Sequence, residues 1–151
     1  SNNMRKIILF ISISFIINTV NSQDSKLSKE KFDAYKKLYL TDKLSLDPET
    51  ETEFWIAYKN YEDSLTKLMI NHRENFRKDL RKSTPSDEEF NNFINNYMSY
   101  EKKKIDLRAN LISELKEVMS LRKTYMLFRY EDDFRREMME KLRESQNNKK
   151  N

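Results

Sequence analysis

The sequence predicts an all-α fold: a long antiparallel helical hairpin with shorter N- and C-terminal helices on either side. Three observations predict it. No glycine occurs among 151 residues, so tight β-hairpin turns and phosphate-cradling loops, which need positive φ or close backbone approach, are disfavoured. The only two prolines, Pro48 and Pro85, each sit beside a capping residue at a place where a helix can start. Between and beyond them, apolar residues recur every three or four positions, the period of one helix face.

The first 22 residues read as a segment removed on export. Arg5 and Lys6 follow Met4, the run IILFISISFII spans Ile7 to Ile17, and Val20 and Ser22 are small residues placed for a cut before Gln23. A basic start, a short apolar run and a small-residue site describe a cleaved signal peptide, and the run is too short for a membrane span. Ser1, Asn2 and Asn3 read as cloning residues ahead of Met4. Residues 23–145 are expected to form a single helical domain, and 146–151 a disordered polar tail. The expected location is the periplasm, with no membrane insertion of the mature chain.

The first helix is expected from about Leu27 to Leu44, with Phe32, Tyr35, Leu38 and Tyr39 facing inward. Asp47 is a good N-cap for a second helix with Pro48 at its first position. Phe54, Tyr58, Tyr61, Leu65, Leu68, His72, Phe76 and Leu80 then form one stripe, giving a helix from Pro48 to about Lys82. Two registers compete for the next start: Thr84 capping with Pro85 first, or Ser86 capping with Glu89 third. Phe90, Phe93, Tyr97, Tyr100, Lys104, Leu107, Leu111, Leu115 and Val118 carry this third helix to about Met119. The short link implies side-by-side, antiparallel packing of these two long helices. The last helix starts after Ser120, with Leu121, Tyr125, Phe128, Phe134, Met138 and Leu142 as its apolar residues.

Composition narrows the function classes. Removing the first 22 residues leaves 129. Without Arg5 and Lys6, the 29 basic residues become 27 against 25 acidic ones, a formal charge of +2. So near a balance gives nucleic-acid binding no support. Without cysteine there is neither a disulfide framework nor a thiolate metal site. No glycine-rich loop or nucleophile elbow is present, so no catalytic residue is assigned and the protein is read as a non-enzyme that needs no cofactor.

Two helix starts carry a resemblance. Leu46-Asp47-Pro48-Glu49-Thr50 and Met119-Ser120-Leu121-Arg122-Lys123 each place an apolar residue and then a short capping residue. The pair resembles the two Leu-Thr-x-x-Gln motifs of the Spy/CpxP-like periplasmic proteins. The continuation EFWIAYKNYED is similar to a group of secreted Bacteroidetes proteins labelled as sensors of ECF-type sigma factors. The similarity covers about residues 27 to 143. Asp47 and Thr50 depart from the motif's Thr and Gln, and Lys123 stands where the second Gln belongs. A lysine there faces the unfavourable end of the helix dipole. The resemblance implies a bent helical hairpin, usually dimerised into a cradle. It further implies an ATP-independent chaperone, an inhibitor or sensor of envelope stress, or a metal-responsive sensor.

The candidate binding residues follow from a second apolar line. Trp55 lies about 100° off the main stripe and, with Met69 and Phe76, forms a second line at seven-residue spacing. Such a line must meet another helix, a second subunit or a client. A homodimer through this surface is expected, since apolar burial stabilises at about 25 cal/mol per Å². Arg73 and Arg77 lie beside it, part of a basic run with Lys78, Arg81 and Lys82. Cations next to aromatics and methionine suit weak, promiscuous capture of polypeptides. The expected partners are unfolded or helical polypeptides, or one envelope signalling protein such as the periplasmic part of an anti-sigma factor. His72 is the sole imidazole and so the one candidate nitrogen ligand. Zinc, nickel and cobalt sites want more nitrogen than that, and its place on the main stripe reads as packing.

Overall fold

The computed structural model describes residues 28–148. They form four helices: α1 (28–44), α2 (Pro48–Leu80), α3 (Asp87–Val118) and α4 (Leu121–Asn148). No strand occurs among the described residues. The expected signal peptide, residues 1–22, lies outside the described residues, as do 149–151 of the expected polar tail. Residues 146–148 of that tail continue α4 as helix.

The starts of α2, α3 and α4 are fixed by their caps. The Asp47 carboxylate accepts the Thr50 amide at 3.0 Å and the Thr50 hydroxyl at 2.8 Å. Those two bonds, the backbone one first, hold the Asp47 carboxyl below its ordinary pKa. Between the two registers open for α3, Ser86 is the cap. Its hydroxyl accepts the Glu89 amide at 3.2 Å while the Glu89 carboxylate accepts the Ser86 amide at 2.9 Å. Glu89 also pairs with Lys82 at 2.7 Å, which ties the end of α2 to the start of α3. Arg81 and Lys82 bond to carbonyls three residues back, so the last turn of α2 tightens and the helix closes at Leu80 rather than at Lys82.

Ser45 ends α1 with φ of 48°, in the left-handed region that glycine usually fills. A chain without glycine must place another residue there. Its carbonyl accepts the Lys123 ammonium at 2.7 Å. Lys123 is the residue that breaks the second motif, and its amide is bonded by the Ser120 hydroxyl at 3.3 Å. The cap at Ser120 therefore holds, and the misplaced cation leaves its own helix end for a carbonyl elsewhere.

The chain divides into two compact units. The described part of the first is residues 28–43 with 130–148. Phe134 is its centre, 2% exposed, with the Phe32, Tyr35 and Tyr39 rings at 5.4, 5.6 and 5.3 Å. Leu40 is fully buried in the same unit. Tyr35 donates to the Glu137 carboxylate at 2.7 Å, and Lys141 bonds both the Tyr35 hydroxyl and Glu137. Burial first, then the nearby Asp133 and Glu137 charges, pushes the Tyr39 hydroxyl above its ordinary pKa. Leu38, expected inward, is 71% exposed, and Leu40 takes the inward position instead. Both lie on apolar-rich sequence, and the face is chosen by where Phe134 sits.

The second unit is Leu44–Arg129. Its core holds Leu44, Phe54, Ala57, Tyr58, Leu111, Leu115, Met119, Thr124 and Leu127. Phe54 and Tyr58 stack at 5.3 Å, and Trp55 meets both rings edge-on. Leu121 and Tyr125, two of the apolar residues of the last helix, are largely exposed, while Thr124 and Leu127 are buried. Thr124 can be buried because its hydroxyl bonds the Ser120 carbonyl at 3.1 Å. Reading only apolar residues as inward hid that face.

Candidate functional site

The stripes along α2 and α3 have a gradient of burial. Phe54 and Tyr58 near the start of α2, and Leu111 and Leu115 near the end of α3, are sealed. Tyr61, Leu65 and Leu68 are half-buried, while Phe76 and Leu80 are exposed. The α3 stripe mirrors this, with Phe90 exposed and Phe93 and Tyr100 half-buried. Thr124 and Leu127 of α4 are buried in the same unit as the sealed end, whereas none of residues 68–97 is buried. One part of a uniform sequence stripe is thus core, and the other part stays open.

At the open end α2 and α3 line a groove of about 770 Å³. Its apolar wall comes from Leu68, Phe76 and Leu80 of α2 and from Phe90, Ile94 and Tyr97 of α3. His72 and Tyr100 stack inside it, ring centres 3.8 Å apart and 5° from parallel. The Lys104 ammonium lies over the Tyr100 ring, 4.7 Å from its centre, and pairs with Glu101 at 2.9 Å. That pair, through its hydrogen bond first, raises the Lys104 pKa. This accounts for the one charged member of the α3 stripe: its stem covers a tyrosine while its ammonium meets a carboxylate. At the far end Lys82 lies 5.4 Å from the Phe93 ring centre while bonded to Glu89.

The predicted site residues separate. Phe76 lines the groove. Met69, 42% exposed, and the exposed Arg73 and Arg77 lie on α2 beside it without lining it. Trp55 is half-buried against Phe54 and Tyr58, about 31 Å of helix away from Phe76 at about 1.5 Å per residue. It packs with the core aromatics, so it does not join Phe76 in one site. Asp47 and Ser120 act as the caps expected of them. His72 is a stacked wall residue. Among the described residues, no group of three or more His, Cys, Asp or Glu side chains is placed to hold a metal ion.

The α3 half of the groove was the part that sequence reading missed. FNNFINNYMSY, residues 90–100, contains no charged residue, in a chain that is 36% charged. Ile94 and Met98 within it are about three-fifths exposed. An uncharged run with large apolar side chains on two faces was the available signal, but taking one face as the stripe left the other unexamined.

What this arrangement offers is an aromatic-lined trough with amide and lysine edges. Its apolar wall is of a size that can hold an apolar chain, with Asp79, Lys82 and Lys103 also among the lining residues. No described helix is long and apolar enough to cross a membrane. Comparisons with protein families, with curated proteins and with solved structures find no match.

Proposed function

We propose that this protein is a non-catalytic, exported polypeptide-binding protein, a chaperone-like holdase or sensor of envelope stress in the periplasm. In this reading α2 and α3 are the arms of an antiparallel hairpin, and the protein works as a homodimer. The observation that carries it is the open apolar groove between the two helices, with Phe76, Phe90, Ile94 and Tyr97 on its wall. Leaving such side chains in water costs stability, at about 25 cal/mol per Å² of apolar surface. Large exposed apolar patches mark interaction sites. The groove holds no charged cluster that would select a small ionic substrate, and its aromatic and amide lining tolerates many apolar sequences.

The test is suppression of aggregation. Reduced α-lactalbumin should scatter less light when the protein is present at a few equivalents, without ATP. Phe76→Asp and Ile94→Asp should each lose most of that effect while retaining helical circular dichroism, since both side chains are exposed. Undiminished aggregation at ten equivalents or so would defeat the holdase reading. A protein that does nothing there, yet retains one membrane protein on a column, is instead a dedicated regulator binding the periplasmic part of an anti-sigma factor.

A further inference from the structure

The groove has a direction and a charge, and together they define what fits it. Counting about 100° per residue from His72, Phe76, Met69 and Leu80 fall at about 40°, 60° and 80° on one side of α2. Arg73 and Arg77 follow on that same side. Around α3, counted from Tyr100, Tyr97, Phe90, Ile94 and Ile105 all fall on one side, and so does Arg108. Phe76, Leu80, Phe90, Ile94 and Tyr97 line the same groove, so these two sides form one face of the helix pair.

Toward the sealed end this face is covered by a helix. The Arg108 guanidinium lies 4.5 Å from the Phe128 ring centre on α4 and 5.4 Å from that of Tyr61 on α2. Ile105, less than one turn from Arg108, is already 68% exposed. From there to Leu80 and Phe90 the face continues with apolar side chains that are left exposed among the described residues, Ile94, Tyr97, Phe76, Leu80 and Phe90. The bare part is therefore the continuation of a seat that already accepts a helix.

Two guanidiniums mark its α2 edge. The side chains of Arg73 and Arg77 make no ion pair or hydrogen bond among the described residues. Some surface cations elsewhere are paired, Lys59 with Asp63, Lys102 with Asp106 and Arg136 with Asp133. On the α3 edge Glu101 is engaged by Lys104, and residues 90–100 carry no charge. The α2 edge thus presents Arg73 and Arg77 beside two carboxylates of its own segment: Glu74, on the opposite side of α2 by the same count, and Asp79, which lines the groove toward Lys82.

We infer that the open groove is the docking site of an amphipathic helix from another polypeptide, with an apolar stripe and acidic residues along one flank. The apolar stripe lies between α2 and α3 in the place that α4 occupies nearer the sealed end, and the acidic flank pairs with Arg73 and Arg77. This is helix-in-groove recognition, with anchors at i, i+3, i+4 and i+7. Guanidinium suits it because it binds carboxylate through two parallel hydrogen bonds. The inference rests on the polypeptide-binding reading and narrows it from any apolar chain to one class of partner.

The experiment uses the full mature chain and three fluorescein-labelled peptides of about 18 residues, long enough to span the bare face. One is an amphipathic helix with leucine anchors and a glutamate flank. The second has lysine for each glutamate, and the third is a scramble of the first. Fluorescence polarisation should give the acidic helix at least about tenfold tighter binding than either other peptide, the difference shrinking with salt. The double variant Arg73→Glu, Arg77→Glu should level or reverse the preference with an unchanged melting temperature. Ile94→Asp should lose all three. Equal binding of acidic, basic and scrambled peptides overturns the inference, and if aggregation suppression persists the broader function stands without it. Loss of both peptide binding and aggregation suppression ends both readings. Preferential binding to phosphatidylglycerol vesicles, with no binding of the acidic helix, overturns it in favour of an anionic membrane surface.

Discussion

At the scale of single residues, two positions repay mutation. Ser45 holds φ of 48° without being glycine, a backbone state that costs a residue with a Cβ roughly 1 kcal/mol. Ser45→Gly is expected to raise unfolding free energy by about 0.5 kcal/mol, the relief being partly offset by the looser unfolded chain. Urea denaturation reads that change directly. Tyr35 is the second. Its hydrogen bond, and then that of Lys141, holds the Glu137 carboxyl below its ordinary pKa. A depressed carboxyl stabilises the fold above its ordinary value of about 4.3, and that stability is lost as pH falls through the depressed value. The same hydroxyl raises the Lys141 pKa, a contribution present below the ordinary lysine value and lost as pH rises past the raised one. Tyr35→Phe should therefore flatten both the acid and the alkaline limbs of a denaturation-midpoint profile. An unchanged profile would show that the Tyr35–Glu137–Lys141 contacts do not persist in solution.

At the scale of elements, α2 and α3 each behave as two pieces. Near Phe54 and Leu115 they are packed, whereas beyond Leu68 and Tyr100 their side chains are half-exposed or exposed. Amide exchange should follow the same division, since local opening depends on buried apolar contacts. Protection around residues 54–58 and 111–115 should exceed that around 70–80 and 90–98 when measured by mass spectrometry. A uniform pattern along both helices would contradict the gradient. Leu111→Ala, at a site 2% exposed, should cost about 3 kcal/mol, and Leu80→Ala, 69% exposed, well under about 1 kcal/mol.

The same elements show what the sequence could convey. Caps are local chemistry, so Asp47 and Ser120 were readable within a few residues, while near Pro85 the sequence left Thr84 and Ser86 open and the structure has Ser86. Helix period was readable too, but period alone names a stripe and not its partner. That is why Phe76 and Phe54 looked alike, though one is open and the other sealed. It is also why Trp55 was grouped with Phe76 although it packs on Phe54 and Tyr58. The Lys123 bond to Ser45 joins residues far apart in the chain, and no local rule reaches that distance. The groove lined by α2 and α3 required both stripes at once.

At the scale of the whole molecule, the proposed homodimer makes its own prediction. Light scattering of the mature chain at tens of micromolar should give twice the monomer mass, and Met69→Glu should lower that value if the α2 surface forms the contact. A monomer throughout would remove the dimer from the proposal and leave the groove available to other chains.

Phe134 sits against Phe32, Tyr35 and Tyr39, rings that precede it by about a hundred residues. An emerging chain offers those three rings long before their partner exists, whereas α2 and α3 need only their short link to meet. During synthesis at roughly 5–20 residues per second, the early aromatics stay uncovered for several seconds at least. The first unit therefore cannot close around Phe134 until that residue has been made. A nascent chain stalled before Phe134 would leave those rings open to whatever helper or protease is at hand.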